Sequence, residues 1–385
     1  MKTLKDFNLK NKLVLLRSDL NCDVLGKKII PTEKIKKSAE TINFLKKKGA
    51  RIVVLAHQGN PHKLDFVSLR QHAKFLNKFA KIKFVEDVCG KFAIEKIKKL
   101  KSGEALLLEN VRFSKDEFYP RKKGNELLKN LAPLFDLFVN DSFSVSHRNH
   151  TSIVGFAKKI PSCAGPLVVK ELDALKKISK KRCLYILGGA KLDSNIKLLG
   201  KNKIIATGLF DQLCLIARGK DLGMQNRLIK KIGLFKEGFE KTKLKLKGKL
   251  KNVETSIDFA VLKNGKRVEY DLEDFPMNYA IKDIGEKTIQ KHLKEIKKAK
   301  AIYMRGDVGI AMEKKFSRGT LELLRAVGDS KAFSIIGGGS LNDVIKKYKI
   351  QKNKFNHVSL SGGALSNFFA GEKLPGLKVL GDYKK

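Results

Sequence analysis

The chain has 385 residues, 42% of them hydrophobic, and 81 Lys+Arg against 39 Asp+Glu leave a formal charge of +42. That length allows two or three domains with substantial cores, and no apolar run approaches the roughly 20 residues that cross a bilayer, so a helical membrane protein is excluded. Met1-Lys2-Thr3-Leu4-Lys5-Asp6 lacks the apolar stretch of a secretion signal, and the chain reads as soluble and cytoplasmic. Cys22, Cys89, Cys163, Cys183 and Cys214 form neither a CxxC pair nor a metal spacing, and read as small buried hydrophobes in a reducing compartment. The positive field favours anionic partners. Its lysines are spread along helical stretches such as 96–101 and 291–300, however, and no zinc-finger spacing or RNP-like aromatic string accompanies them. Nucleic acid and membrane are therefore not favoured, and phosphorylated metabolites are.

In chain order, apolar runs alternate with lysine-rich, helix-period stretches. The first series is 13–20, 35–48, 51–57, 67–81, 83–85, 92–100, 105–110, 126–131 and 137–141. This βαβ rhythm predicts a parallel sheet with helices on both faces. The pattern breaks at Pro161-Ser162-Cys163-Ala164-Gly165-Pro166, which reads as a hinge, and 167–178 reads as a helix. A second series follows at 183–187, 203–207, 301–304, 333–336 and 358–360, interrupted by an antiparallel-looking stretch over 253–270 whose Asn264-Gly265 predicts a hairpin. The expected fold is α/β: two Rossmann-like lobes with parallel sheets, joined by a hinge helix. Its divisions are an N-terminal lobe at 1–165, the hinge helix at 166–180, a C-terminal lobe at 181–365, and a segment at 366–385. Two such lobes would offer two sets of strand ends to one reaction.

Open α/β sheets bind ligands outside the carboxyl ends of their strands, and here the runs end in unusual tips. Arg17-Ser18-Asp19-Leu20-Asn21, His57-Gln58-Gly59-Asn60, Glu109-Asn110-Val111-Arg112 and His147-Arg148-Asn149-His150 fall in the first half. Asp19, Asn21 and His57 can hydrogen-bond hydroxyls and a carboxylate, while Arg17, Lys34, Arg112 and Arg148 can gather a multiply anionic ligand. In the second half Gly188-Gly189-Ala190-Lys191, Gly337-Gly338-Gly339-Ser340 and Ser361-Gly362-Gly363 each follow an apolar run and precede a helical pattern. Glycines there let backbone N–H groups approach phosphates. Neither the Walker loop nor the GxGxxG fingerprint is present.

With these motifs in this order, the chain resembles the phosphoglycerate kinases over essentially its whole length. Leu187-Gly188-Gly189-Ala190-Lys191, Asp283-Ile284-Gly285, Gly337-Gly338-Gly339, His357-Val358-Ser359 and Leu374-Pro375-Gly376 complete the series, and the compact length looks archaeal. The resemblance implies 3-phosphoglycerate on the first lobe, held by Asp19, Asn21, Lys34, His57, Gln58, Gly59, Asn60, Arg112 and Arg148. It implies ADP or ATP with Mg²⁺ on the second, held by Gly188, Gly189, Lys191, Gly337, Gly338, Gly339 and Ser340, with Glu313 on the ribose. Arg148, Lys191 and Lys34 would be the catalytic cations, and the metal's protein ligand stays open. A closing hinge, a monomeric state, and a last segment (Gly381-Asp382-Tyr383) packed on the first lobe are further implications.

Several positions depart from the family pattern near the chemistry. Lys34 stands where an arginine is usual, Asn60 replaces another, Asn195 replaces a second lysine four residues after Lys191, and Ser340 replaces an aspartate, leaving Asn342 or Asp343 beside the metal. The usual Asn-Gly-Pro is Arg305-Gly306-Asp307. These departures keep a second expectation open: a weakened paralogue that binds nucleotide or nucleic acid.

Overall fold

The structure is a computed structural model, and it describes residues 1–200, 202–232 and 237–381. The chain divides into two compact units, one of Met1–Leu172 with the chain from Glu372 onward, the other of Asp173–Gly371. The division falls inside the helix Pro166–Ser179.

The first unit contains β1 (Leu13–Arg17), β2 (Asp23–Leu25), β3 (Lys28–Ile30), β4 (Arg51–Leu55), β5 (Lys83–Val85), β6 (Ala105–Leu108), β7 (Leu137–Asn140) and β8 (Ser162–Ala164). Six of them form one parallel sheet in the order β5-β6-β4-β1-β7-β8. Every residue of β1 is buried because both sheet faces are covered. Val14 and Leu16 face a layer with Ile35, Ala39 and Ile42 of the helix Glu33–Lys47, whereas Leu13 and Leu15 join Ala93, Ile97 and Leu131 on the other side. The chain leaves β1 toward β4 on one side and leaves β7 toward β8 on the other, so the strand order reverses between β1 and β7 and opens a crevice at their carboxyl ends.

Two features differ from the expected pattern. The stretch 161–166, expected as an irregular hinge, supplies the edge strand β8, with Cys163 and Ala164 buried against β7. β2 and β3 form a separate antiparallel ribbon with no counterpart in the predicted elements.

The second unit holds β9 (Cys183–Leu187), β10 (Ile204–Ala206), β11 (Val253–Glu254), β12 (Asp258–Lys263), β13 (Lys266–Asp271), β14 (Ile281–Ile284), β15 (Ala301–Arg305), β16 (Phe333–Gly337) and β17 (His357–Ser359). Its parallel sheet runs β11-β10-β9-β15-β16-β17. Ile186, Ile302, Met304 and Ile336 pack there against Ile289 and Ile296 of the helix Glu286–Lys298 and Leu324 of the helix Arg318–Asp329. The hairpin turns at Asn264-Gly265, both with positive φ, and joins β12 to β13, with β14 as a third strand. Val253–Glu254, expected in the antiparallel stretch, pairs in parallel with β10 instead.

The chain re-enters the first unit at Glu372 rather than at 366. There the helix Pro375–Lys378 docks on residues 146–153: the Gly376 N–H donates to the Ser146 carbonyl at 2.9 Å, and Asn140 Nδ2 donates to the Gly376 carbonyl at 3.3 Å. A methyl group on Gly376 would lie 2.6 Å from Ile153 Cγ2, so only glycine fits this approach. Gly381 lies beside Met1; Asp382 and Tyr383 fall outside the described residues. All five cysteines are free, four of them buried, and burial pushes the Cys163 thiol up to about 12. Among the described residues no helix is long and apolar enough to cross a membrane.

Candidate active site

In the first unit the tips of β1, β4, β6 and β7 are sewn together by side chains. Gln58 is fully buried; its Oε1 accepts from the Cys22 N–H at 2.8 Å and from His72 Nε2 at 3.0 Å, and its Nε2 donates to the Cys22 carbonyl at 2.9 Å. Its capacity is spent on the wall, so Gln58, expected on the ligand, positions its neighbours instead. Asn21 Oδ1 accepts from the Gly59 N–H at 2.8 Å, which leaves the Asn21 amide N–H₂ group as a donor. Gly59 adopts φ +66°, and a Cβ there would sit 2.2 Å from the Asp65 carbonyl oxygen.

Arg17 is 1% exposed and is not a ligand cation but an internal strut. Its Nε donates to Ser152 Oγ at 2.9 Å and its Nη2 meets His57 Nδ1 at 3.0 Å. Ser152 in turn gives its N–H to Glu117 Oε2 at 2.8 Å and its hydroxyl to Oε1 at 2.7 Å. Burial pushes the Arg17 guanidinium down and the Glu117 carboxyl up, while each pulls the other back toward its charged form. Because the guanidinium can only donate, His57 Nδ1 must accept, and the ring proton resides on Nε2. Burial, then the charges of Arg17, Arg112, Lys34 and His150, drive the His57 pKa well below 6.5. His57 is thus a neutral donor.

Around it stands a cationic cluster. Arg112, 6% exposed, donates through Nη1 to the Gly59 carbonyl and to Asn60 Oδ1, the latter at 2.9 Å, while its buried Nε has no partner. Burial, Arg17 and Arg148 push the Arg112 pKa down to about 10. Asn60 therefore orients Arg112 where a cation would repel it. Burial also lowers His150 to about 4, followed by Arg112, Arg17 and Arg148. Arg148 is exposed at the site, on the turn leading into residues 151–155. Lys34, at the first turn of the helix Glu33–Lys47, reaches Asp19 Oδ2 at 2.9 Å. Burial alone would raise Asp19, but Lys34 and the hydroxyl of Ser144 outweigh it and keep it ionised.

In the second unit three turns meet. The Gly188 N–H donates to the Arg305 carbonyl at 2.7 Å and the Gly189 N–H to the Asp307 carbonyl at 2.9 Å. A Cβ on Gly188 would lie 2.4 Å from the Asp307 carbonyl oxygen and one on Gly306 2.3 Å from that of Gly188, so the two turns touch backbone to backbone. Lys191 Nζ lies 3.5 Å from where a Cβ on Gly362 would stand, over the start of the helix Gly363–Phe369. Gly337 is packed beneath Tyr303 and Leu365, whereas Gly338 and Gly339 face open space at the head of the helix Gly339–Lys347. Backbone N–H groups at such a helix start favour phosphate.

Asn195 is buried, donating from Nδ2 to the Gly188 carbonyl at 3.0 Å. Asn342 Nδ2 is spent, donating to the carbonyls of Gly338 at 2.8 Å and Ser359 at 3.0 Å, whereas its buried Oδ1 has no partner and stays open as an acceptor. Asp307 is raised by burial, opposed by a hydrogen bond from Ser340, with Asp343 nearby, and its buried Oδ1 has no partner. Among the described residues no three His, Cys, Asp or Glu side chains converge as a metal site. A hard cation carried mainly by phosphates and water fits the orphaned Asp307 oxygen with Asp343 beside it. Glu313 is ion-paired with Lys282 at 2.9 Å.

Glu117 and Ser144 support the first cluster with no motif of their own in the sequence, beside His150 of the tip His147-Arg148-Asn149-His150. Glu117 lies in a single 3₁₀ turn, Lys115–Phe118, whose buried acid has no periodic signature. Arg305 offers a signal: a lone arginine closing an otherwise apolar run.

The phosphoglycerate kinase family model matches residues 4–372. The phosphoglycerate kinase of Methanobacterium bryantii is 39% identical, with 99% of this chain and 97% of that protein aligned. That of Pyrococcus furiosus is 38% identical over the same shares. The crystal structure of phosphoglycerate kinase from Pyrococcus horikoshii superposes with a TM-score of 0.90 at 37% identity, covering 99% of this chain and 98% of that one. The Coxiella burnetii enzyme gives 0.80 at 29% identity. With identity sustained along nearly the full length of both partners and the same fold, this chain belongs to the phosphoglycerate kinase family.

Proposed function

We propose that the chain is an active phosphoglycerate kinase of glycolysis, transferring a phosphoryl group reversibly between 1,3-bisphosphoglycerate and ADP, as a cytoplasmic monomer. The observation that carries this reading is the cationic cluster of the first unit, where Arg112 keeps a buried, unpartnered Nε beside Arg148, Lys34 and neutral His57. Such a cluster is complete only with an anion. 3-Phosphoglycerate supplies a phosphate for Arg112 and Arg148, a carboxylate for His57 Nε2–H and the Asn21 amide, and a hydroxyl for the ionised Asp19. ADP or ATP occupies the second unit, its phosphates on the Gly188, Gly338 and Gly362 turns and Lys191, with Glu313 a candidate for the ribose.

Magnesium would come as part of the nucleotide substrate and neutralise phosphate charge, and Asp307 and Asp343 would flank it. Transfer is in-line, with charge spread over the equatorial oxygens. Fixed donors and cations therefore provide the catalysis, and no general base is required. Lys34 holds Asp19 in place and adds positive charge. Arg148, exposed and unencumbered, is suited to follow the phosphoryl group. The two units must bring their ligands end to end, and exclusion of water then protects the acyl phosphate from hydrolysis.

The test is ATP formation from 1,3-bisphosphoglycerate and MgADP with purified protein. Robust turnover that Lys191→Ala removes is expected. A folded protein that makes no ATP with magnesium in excess would refute the reading and show that Lys34, Asn60, Asn195 and Ser340 had disabled the site.

A further inference from the structure

β15 ends in Arg305, a residue with 3% exposure. Its register partners are Leu187 and Gly337, the positions from which the two glycine turns depart. Its Nη1 donates to Ser366 Oγ at 2.5 Å and to Asn195 Oδ1 at 3.3 Å. Both acceptors brace a turn, since Ser366 Oγ donates to the Gly362 carbonyl at 3.0 Å and Asn195 Nδ2 to that of Gly188 at 3.0 Å. Nη2 is buried and has no partner, and among the described residues no carboxylate pairs with the guanidinium. Burial is the main influence on its pKa and lowers it, opposed only by Tyr303.

A buried charge without a counter-ion is strongly unfavourable. All of Arg305's partners are neutral, and they fix its position without neutralising it. The groups it braces are the turns over which Lys191 lies.

We infer that Arg305 is a phosphate-binding residue of the nucleotide site, its Nη2 reserved for an oxygen of the di- or triphosphate. The inference rests on the nucleotide occupying the second unit. Asn195 and Arg305 then form an exchanged pair. The cation expected on the helix Leu192–Ile196 has moved across a hydrogen bond to the end of β15, so the substitutions at 195 and 305 offset each other. The planar fork suits phosphate oxygens.

Calorimetric titration with ADP and with adenosine, together with thermal melts of the unliganded protein, tests this. Arg305→Met is expected to weaken ADP binding about 10- to 100-fold. Adenosine binding should be unchanged, and the melt should stay where it is or rise, because a buried charge has been removed. ADP affinity equal to that of the unmodified protein, while Lys191→Ala binds weakly, would overturn the inference alone. A lower melt with equal losses of ADP and adenosine would also overturn it, by assigning Arg305 a purely structural role. No ADP binding by the unmodified protein would refute the nucleotide reading itself and the inference with it. Should Arg305→Met not fold, the paired change Asn195→Lys with Arg305→Asn decides: it should recover ADP affinity to within a few-fold, whereas Arg305→Asn alone should not. Failure of the pair to recover would count against the exchange.

Discussion

Arg17 and Arg305 each close an interior parallel strand and each is almost fully buried, yet one has an anion and the other does not. Arg17 lies with Glu117 around Ser152 and turns one N–H to His57, so its charge is used up in fixing a neutral imidazole. Arg305 has only the neutral oxygens of Asn195 and Ser366. The first unit meets its anion with a layer of cations standing in front of a compensated core; the second places an uncompensated cation within the floor itself. Sequence position cannot distinguish these roles, because both arginines follow an apolar run. The difference lies in what the fold brings alongside.

The comparison can be broken most sharply at Arg17. Arg17→Met should cost about 3–5 kcal/mol of stability, because Glu117 would be left buried without its partner, and urea unfolding followed by circular dichroism would read it. A variant as stable as its parent would mean Arg17 is no better compensated than Arg305. Next comes Arg148→Ala, which should lower kcat by on the order of 10²-fold or more while leaving the ADP dissociation constant intact. Parallel losses in both would contradict the assignment of one ligand to each unit.

His72 shows a third way of burying a base, by shedding its charge. Its Nε2 donates to Gln58, and burial lowers its pKa from 6.5 to about 4. The unfolded chain therefore binds this proton first as pH falls. The contribution is fully present above 6.5, declines below it, and is exhausted below about 4; it is on the order of 2–3 kcal/mol. Unfolding free energies at pH 7.5 and 4.5 should differ less in His72→Gln than in the parent by that amount; an unchanged difference would place the charge elsewhere. The smallest effect is expected for Lys34→Ala, which frees Asp19: roughly a tenfold rise in KM for 3-phosphoglycerate, with KM for ADP unmoved.

Much of this architecture was legible from the residues. Runs such as Leu13–Leu16 and Leu184–Leu187 are too uniformly apolar for anything but covered strands, and Gly188-Gly189 and Asn264-Gly265 mark turns by their backbone freedom. Two short elements were not legible: β8 and β2, of three residues each, carry no period, although the equally short β5 was read at 83–85. Gln58 misleads for a related reason. A polar residue at a strand tip looks like a ligand donor until Cys22, Asp65 and His72, all distant or unpatterned in sequence, are found around it. Asn60 looked like a lost cation and proved to be a rest for Arg112.

The docking of Gly376 on Ser146 has a consequence for biosynthesis. A ribosome releases the turn carrying Arg148 long before residues 372–381, and all of the second unit is made in between. Nascent chains can therefore assemble the first sheet while this part of the active site still lacks its support, and only the synthesis of residues 372–381 locks it. A chain stopped after Gly371 should retain the second unit's nucleotide affinity and lose phosphoryl transfer, as though the protein withheld its chemistry until this segment had been made.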